Sequence, residues 1–421
     1  MAKIYPFKGI LYNQKEISNL AEVVAPPYDV ISPQAQDKYY RNSDYNIIHL
    51  ILGRIYSDDT ESNNRYTRAR DTLDKWLKTG ILKRDEKTAV YLYEQDYSIF
   101  GKSCIRRGII PLVRLEDFKD EVILPHEMTF SRAKQDRLNL LRATRANLSP
   151  IFAFYEDNSN TIAGIINDYF SKKPIIDLED EDRVRHKLWA ISEAGDIAKI
   201  KKNLEDKTLF IADGHHRYET ALNFRNEMKR KVVHFNKEEE DYNRVMVYLV
   251  NINQAFSVLP TCRLIRGLKD LDMKRIENFF RVKTVEKKEI SVQLEKEKDR
   301  HAFGMYYKGK YYLFVLRDIS AADRLMDPGE PRELKRLDVT ILHKLLIEHI
   351  LNIDDDKIDY VMGEDSSIKL VDKGGYDLVF FLNPISKKEF KEAAQAHCLM
   401  PKKTTYFYPK ALSGLVINKS V

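Results

Sequence analysis

Leu209-Phe-Ile-Ala-Asp-Gly-His-His-Arg-Tyr-Glu-Thr-Ala-Leu222 carries a strand, a corner and a helix in one run. Leu209–Ala212 is apolar and short, which predicts a buried strand. Asp213-Gly214 supplies turn residues. A helix is then expected from His216 to Glu227. The first turn of a helix has N–H groups with no intrahelical carbonyl and partial positive charge behind them. Such a corner favours an anion. Gly214 lets the backbone approach closely. His215, His216 and Arg217 add donors, and Arg217 is expected to grip phosphate oxygens with both arms. Asp213 could cap the helix or orient a histidine. A plain surface turn would not gather two histidines and an arginine at one helix start.

On either side of this run, strands and helices interleave. Val23–Ser32 reads as a strand entering a turn, because the residues before Pro26 and Pro27 are pushed out of the helical region. Ser32-Pro33 opens a helix through Tyr40, with serine as N-cap. Ile47–Leu52 reads as a buried strand. Asn64–Lys78 has helical periodicity and Gly80 ends it. Val90–Tyr97 and Arg106–Leu115 read as paired strands, and Arg132–Ala146 as a basic helix capped by Ser131. Ile151–Tyr155, Leu188–Ser192 and Arg244–Val250 are expected strands, and Ile162–Phe170 a helix. Farther on, Leu271–Phe280 and Val339–Leu351 read as helices. Ala302–Arg317 reads as a hairpin turning at Lys308-Gly309, and Leu378–Asn383 as a buried strand before a helix over Lys387–Ala396. The expected class is α/β or α+β. The expected division is a binding core over 1–265 and a smaller α+β portion over 266–421, whose C-terminal segment packs back on the core.

At 421 residues the chain exceeds an ordinary single domain. A net charge of +6, from 70 Lys+Arg against 64 Asp+Glu, is mild and disfavours nucleic acid as a main partner. The three cysteines, Cys104, Cys262 and Cys398, have no metal-ligand spacing, and their odd number fits no disulfide framework. Without a signal-like N-terminus or a run of about 20 apolar residues, a cytoplasmic location and no membrane partner are expected.

Three further segments hold groups fit for chemistry. Leu124-Pro-His-Glu-Met-Thr129 places His126 and Glu127 in a loop before the basic helix that carries Lys134 and Arg137. A carboxylate beside cations and phosphate can act as general base toward a hydroxyl, which makes Glu127, His126 and His216 the candidate catalytic residues. Ala25-Pro-Pro-Tyr-Asp29 would hold Tyr28 and Asp29 rigidly. With Lys134, Arg137 and Arg263, from Leu259-Pro-Thr-Cys-Arg-Leu264, these are the candidate substrate contacts. Met400–Lys410 is a basic-aromatic stretch that could cover a ligand or stack on single-stranded nucleic acid, though packing of Tyr406, Phe407 and Tyr408 onto the domain is the expected reading.

These stretches, with Ala146-Asn-Leu-Ser-Pro-Ile-Phe152, resemble in order the family catalogued as domain of unknown function 1015. The family usually has histidine where this chain has Cys262, so any chemistry resting on that histidine would be altered here. Asp213-Gly-His-His-Arg217 also resembles the phosphate box of ParB-like nucleotide-binding proteins, including ADP-dependent free-serine kinases. That resemblance implies a ParB-like nucleotide-binding core with large insertions, and ADP or ATP as cofactor. It matches the kinases' catalytic glutamate only loosely, to Glu127 or Glu22.

The expectation is a phosphotransferase acting on a small hydroxylated metabolite, with free L-serine as acceptor and Mg²⁺ accompanying the nucleotide. No Walker-type loop is present. A phosphoserine phosphatase is the neighbouring reading, since the same site run with water hydrolyses. A ParB-like regulator binding DNA or protein and a metal-dependent hydrolase using His126, His215 and His216 are the alternatives from other classes.

Overall fold

A computed structural model of the chain describes residues 1–99, 101–129, 131–232, 236, 240–254, 257–401 and 403–420. It divides into two compact units. One comprises Met1–Pro125, Thr129–Phe256 and Pro409–Val421, the other His126–Met128 and Ser257–Tyr408.

The first unit is built on a ten-stranded mixed sheet. Its helices begin with α1 (Pro33–Asn42), α2 (Ile48–Ile51), α3 (Arg65–Lys78) and α4 (Ser131–Thr144). They continue with α5 (Thr161–Ile166), α6 (Ala194–Leu204) and α7 (His215–Lys229). Its main strands are β1 (Val90–Ile99), β2 (Lys102–Ile110), β3 (Ile151–Tyr155), β4 (Arg185–Ile191), β5 (Leu209–Asp213) and β6 (Arg244–Asn251). Starting from the edge strand Ile176–Glu179, the order is β4, β1, β2, β6, β3, β5 and Ile123–Leu124. β6 runs parallel to β3, and β5 runs parallel to Ile123–Leu124, whereas β3 and β5 are antiparallel. Strands such as Ile151–Tyr155 are apolar throughout because both faces are covered. Ile162, Ile197, Ile200, Leu204 and Tyr218 from the helices close over them.

The N-cap predicted at Ser32 holds, its side chain accepting from the Ala35 amide at 3.2 Å. Asn64, which the sequence placed only at a helix start, forms a capping box with Thr67. Two strand expectations fail. Ile47–Leu52 contains the short helix α2, whose Ile48, Leu50 and Ile51 are all buried. This helix is too short and too apolar to show a helical period, with only His49 half-buried, so its sequence looks like a core strand. Val23–Ser32 forms no strand; Tyr28–Val30 is a 3₁₀ turn after the two prolines. Ser131 is the first residue of α4 rather than its cap.

The second unit is a six-stranded antiparallel sheet. Its strands are β7 (Thr261–Ile265), β8 (Phe280–Val285), β9 (Ala302–Tyr307), β10 (Lys310–Leu316), β11 (Ile358–Met362) and β12 (Leu378–Leu382), in the order β8-β10-β9-β12-β7-β11. β7 pairs with β11 and β12, so this unit begins before the expected division at 265/266. The β9–β10 hairpin turns on Lys308 and Gly309, both at positive φ (45° and 77°), as a two-residue loop requires. The helix expected over Leu271–Phe280 shrinks to Met273–Glu277, because Phe280 already pairs with Leu316. Asp338–Ile341 is α-helical and Leu342–Ile350 continues as a π-helix.

The segment Pro409–Val421 completes the first unit. Ser413 pairs with Ala25, Ile417 with Ile10, and Asn418–Lys419 with Ala146–Asn147. Among the described residues no helix is long and apolar enough to cross a membrane.

Candidate functional site

The corner after β5 is shaped by a change of register. Ile211 faces Ala153 and Asp213 faces Phe152, so Ala212 is the extra residue of a bulge. Gly214 follows at φ 93°, a conformation that costs an L side chain about 1–2 kcal/mol. A Cβ there would also lie 2.9 Å from Cζ of Arg217. Glycine is therefore needed twice, for the turn and for the guanidinium folded back over it.

Arg217 reaches back along its own helix. Nη2 donates to Asp213 Oδ2 at 2.7 Å, and Nη1 donates to the Pro150 carbonyl. Lys410 Nζ donates to the other oxygen of Asp213. Burial alone would raise the Asp213 carboxyl, but Lys410, Arg217 and His215 outweigh it and hold it well below the usual range. The anion nearest this helix start is thus the protein's own. Both Nη groups of Arg217 are engaged, which differs from the two-armed phosphate grip expected from the sequence. Its Nε is buried and has no hydrogen-bond partner among the described residues.

A second cationic group stands beside the first. The Arg137 guanidinium lies 3.9 Å from the centre of the Tyr28 ring. Arg137 Nε donates to Asp136 at 2.8 Å and Nη1 to the Ile51 carbonyl at 2.7 Å. Asp136 also accepts from Tyr66 at 2.7 Å and from Arg65. Burial and Asp29 push the Tyr28 hydroxyl up to about 12, against the pull of Arg137 and Arg217. Tyr28 therefore stays protonated and can donate. Around these two carboxylates, Asp213 and Asp136, stand four cationic side chains: Arg65, Arg137, Arg217 and Lys410.

Tyr28, Arg137, Ser149, Arg217 and Thr220 line one pocket, with Ile51 and Leu140 among its apolar walls. Its volume is about 60 Å³. One water needs roughly 10–15 Å³ on this measure, so a phosphate-sized group fits and a whole nucleotide does not. The lining contains no carboxylate. A divalent ion in it would rest on oxygens brought by a ligand.

The other predicted residues are placed as follows. His215 is buried and His216 half-buried. Asp29 is exposed. Lys134 pairs with Glu219 of α7 at 2.8 Å, and Glu219 accepts from Thr129 at 2.7 Å. His126 and Glu127 belong to the second unit. There His126 is buried, hydrogen-bonded to Thr405 at 2.9 Å and edge-on to Phe390. Glu127 bridges to Met400. Arg263 also belongs to the second unit and is buried on β7. Cys262 is buried, which pushes its thiol up to about 11. Among the described residues no three His, Cys, Asp or Glu side chains are grouped to hold a metal.

Sequence reasoning missed Lys410 as the partner of Asp213, and Asp136 as the hub of the second cluster. Asp136 adjoins Arg137 and could have been named from that spacing. Lys410 lies 197 residues from Asp213, and no local signal joins them.

The profile of the family described as "Protein of unknown function (DUF1015)" matches residues 4–340. No curated protein matches the chain. Similar solved structures include a free serine kinase in complex with AMP, at 15% identity and TM-score 0.33, covering 68% of this chain and 83% of that one. A conserved hypothetical protein from Pyrococcus furiosus gives 15% identity and TM-score 0.32, with 69% and 89% covered. SbnI from Staphylococcus aureus, truncated at its C-terminus, gives 10% identity and TM-score 0.36, with 72% and 85% covered.

Proposed function

The chain belongs to the DUF1015 family, and we propose that this member is a nucleotide-dependent phosphotransferase acting on a small hydroxylated metabolite. ADP or ATP is the proposed donor and L-serine the proposed acceptor. One observation carries the reading: Tyr28, Arg137 and Arg217 line a single phosphate-sized pocket in which cations outnumber carboxylates.

The chemistry follows from that imbalance. Phosphoryl transfer asks a protein mainly to position the phosphoryl group and neutralise its charge. Asp213 and Asp136 hold the guanidinium groups in fixed orientations, so little reorganisation accompanies binding. The Nε of Arg217 and the hydroxyl of Tyr28 are the donors proposed to meet phosphate oxygens. The pocket admits only one phosphate-sized group, so the base and sugar would lie outside it. Mg²⁺ would supply charge neutralisation on the nucleotide's own oxygens.

Titration calorimetry with AMP, ADP and ATP, followed by phosphoryl-transfer assays with L-serine and O-phospho-L-serine, tests the proposal. Nucleotide binding and formation of phosphoserine are expected. Absence of nucleotide binding would remove the reading. Phosphate release from O-phospho-L-serine without transfer to nucleotide would recast the protein as a phosphatase.

A further inference from the structure

The second unit contains a buried charge without a counter-charge among the described residues. Arg263 is 1% exposed. Nη1 donates to the Thr261 carbonyl, Nη2 to the Lys403 carbonyl at 3.3 Å, and Nε to His343 Nε2 at 3.4 Å. The ring of Tyr360 lies 5.5 Å away. All these partners are neutral, since an imidazole nitrogen that accepts carries no proton. The groups that act on Arg263 electrostatically are Tyr360 and Cys262, and burial draws its pKa down to about 10. Folded proteins pair buried charges, because an uncompensated one costs several kcal/mol.

A second polar group nearby in the chain is also short of a partner. Thr340 is 4% exposed, and its hydroxyl has no hydrogen-bond partner among the described residues. It precedes His343 by three residues along the chain. The helix changes there from α to π, an arrangement frequent at functional sites.

We propose that Arg263, beside His343, is the binding site of a small oxyanion, a carboxylate or a phosphate, held within the second unit. A guanidinium presents two parallel N–H groups to such an anion. The long contacts to Lys403 and His343 are the ones that yield to it. The ligand is small, because the Lys403 carbonyl covers the charge and Arg263 is almost fully withdrawn from solvent. This site is separate from the pocket of the first unit and does not depend on the proposed reaction.

Thermal unfolding of the full chain tests the site, with sodium L-lactate and sodium phosphate as probes, each against sodium chloride at matched ionic strength. One probe is expected to raise the wild-type Tm by about 3 °C. The part of that rise that survives in Arg217→Met, where the first unit's pocket has lost its guanidinium, should vanish when Arg263→Met is added. Lactate as the active probe identifies a carboxylate site, and phosphate a phosphate site. Without a probe, Arg263→Met should melt no lower than wild type, because it removes an uncompensated charge. Any nucleotide-dependent rise in Tm should survive in Arg263→Met, which separates failure here from failure of the phosphotransfer reading. A probe effect that ignores Arg263, no probe effect at all, or an Arg263→Met chain that unfolds or melts lower overturns the proposal.

Discussion

Arg217 and Arg263 are both arginines withdrawn from water, and the chain treats them in opposite ways. Arg217 folds back onto a carboxylate four residues earlier, with a lysine on that carboxylate's other oxygen. Arg263 meets two carbonyls and an imidazole. Counter-charges are built into the first unit, where two carboxylates stand among four cationic side chains, two of which line the pocket. In the second unit Arg263 has no counter-charge among the described residues. The contrast shows that burying an arginine does not by itself define its role; the partner does.

The largest test of that contrast removes the built-in carboxylate. Asp213→Asn leaves Arg217 and Lys410 without their shared counter-ion, and breaking such a buried pair costs about 3–5 kcal/mol. Denaturant titration should show the loss, and a cost below about 1 kcal/mol would mean that the carboxylate matters little. The pH dependence has a definite sign. The folded carboxyl lies below its ordinary value of about 3.9. Its stabilisation is therefore full above that value and is lost as the pH falls from there through the lower folded value. Asp213→Asn should flatten this acid limb.

Arg217→Ala should weaken nucleotide binding by about 1.5–3 kcal/mol, the range for a charged hydrogen bond. Equal affinities for variant and wild type by calorimetry would return Arg217 to a purely structural role. Gly214→Ala should cost about 2 kcal/mol, since φ is positive and the guanidinium occupies the space of a Cβ. A milder loss would mean that Arg217 swings away easily. The smallest effect is expected at Cys262, beside Arg263. Its buried thiol stays protonated, so Cys262→Ala should cost about 1 kcal/mol and leave catalytic turnover unchanged. A dead variant would restore a chemical role to the position where the family usually has histidine.

The strand–corner–helix around Gly214 was legible in the sequence because each part obeys a local rule. The strand is short and apolar, the corner holds Asp-Gly, and a helix follows at once. Asn64, Ser32 and Lys308-Gly309 were legible for the same reason. What escaped was set by distance or by burial. Helix α2 looks like a strand because its short run is almost wholly apolar and buried, too brief to show a helical period. The use of Arg217 as an internal clamp follows from how its side chain folds over Gly214, which periodicity does not report. Residues 126–128 sort with the second unit although chain order surrounds them with the first.

Lys410 has a consequence for how the chain is made. The ribosome delivers Asp213 almost two hundred residues before the lysine that caps it, and synthesises strands β7 through β12 in between. The nascent first unit must therefore wait, its carboxylate without Lys410, while most of the second unit, Ser257–Tyr408, emerges. Ring closure over so long a span is slow in bare chains. Chains stalled before residue 409 would accumulate with the acidic corner half-assembled, a state a protease could recognise.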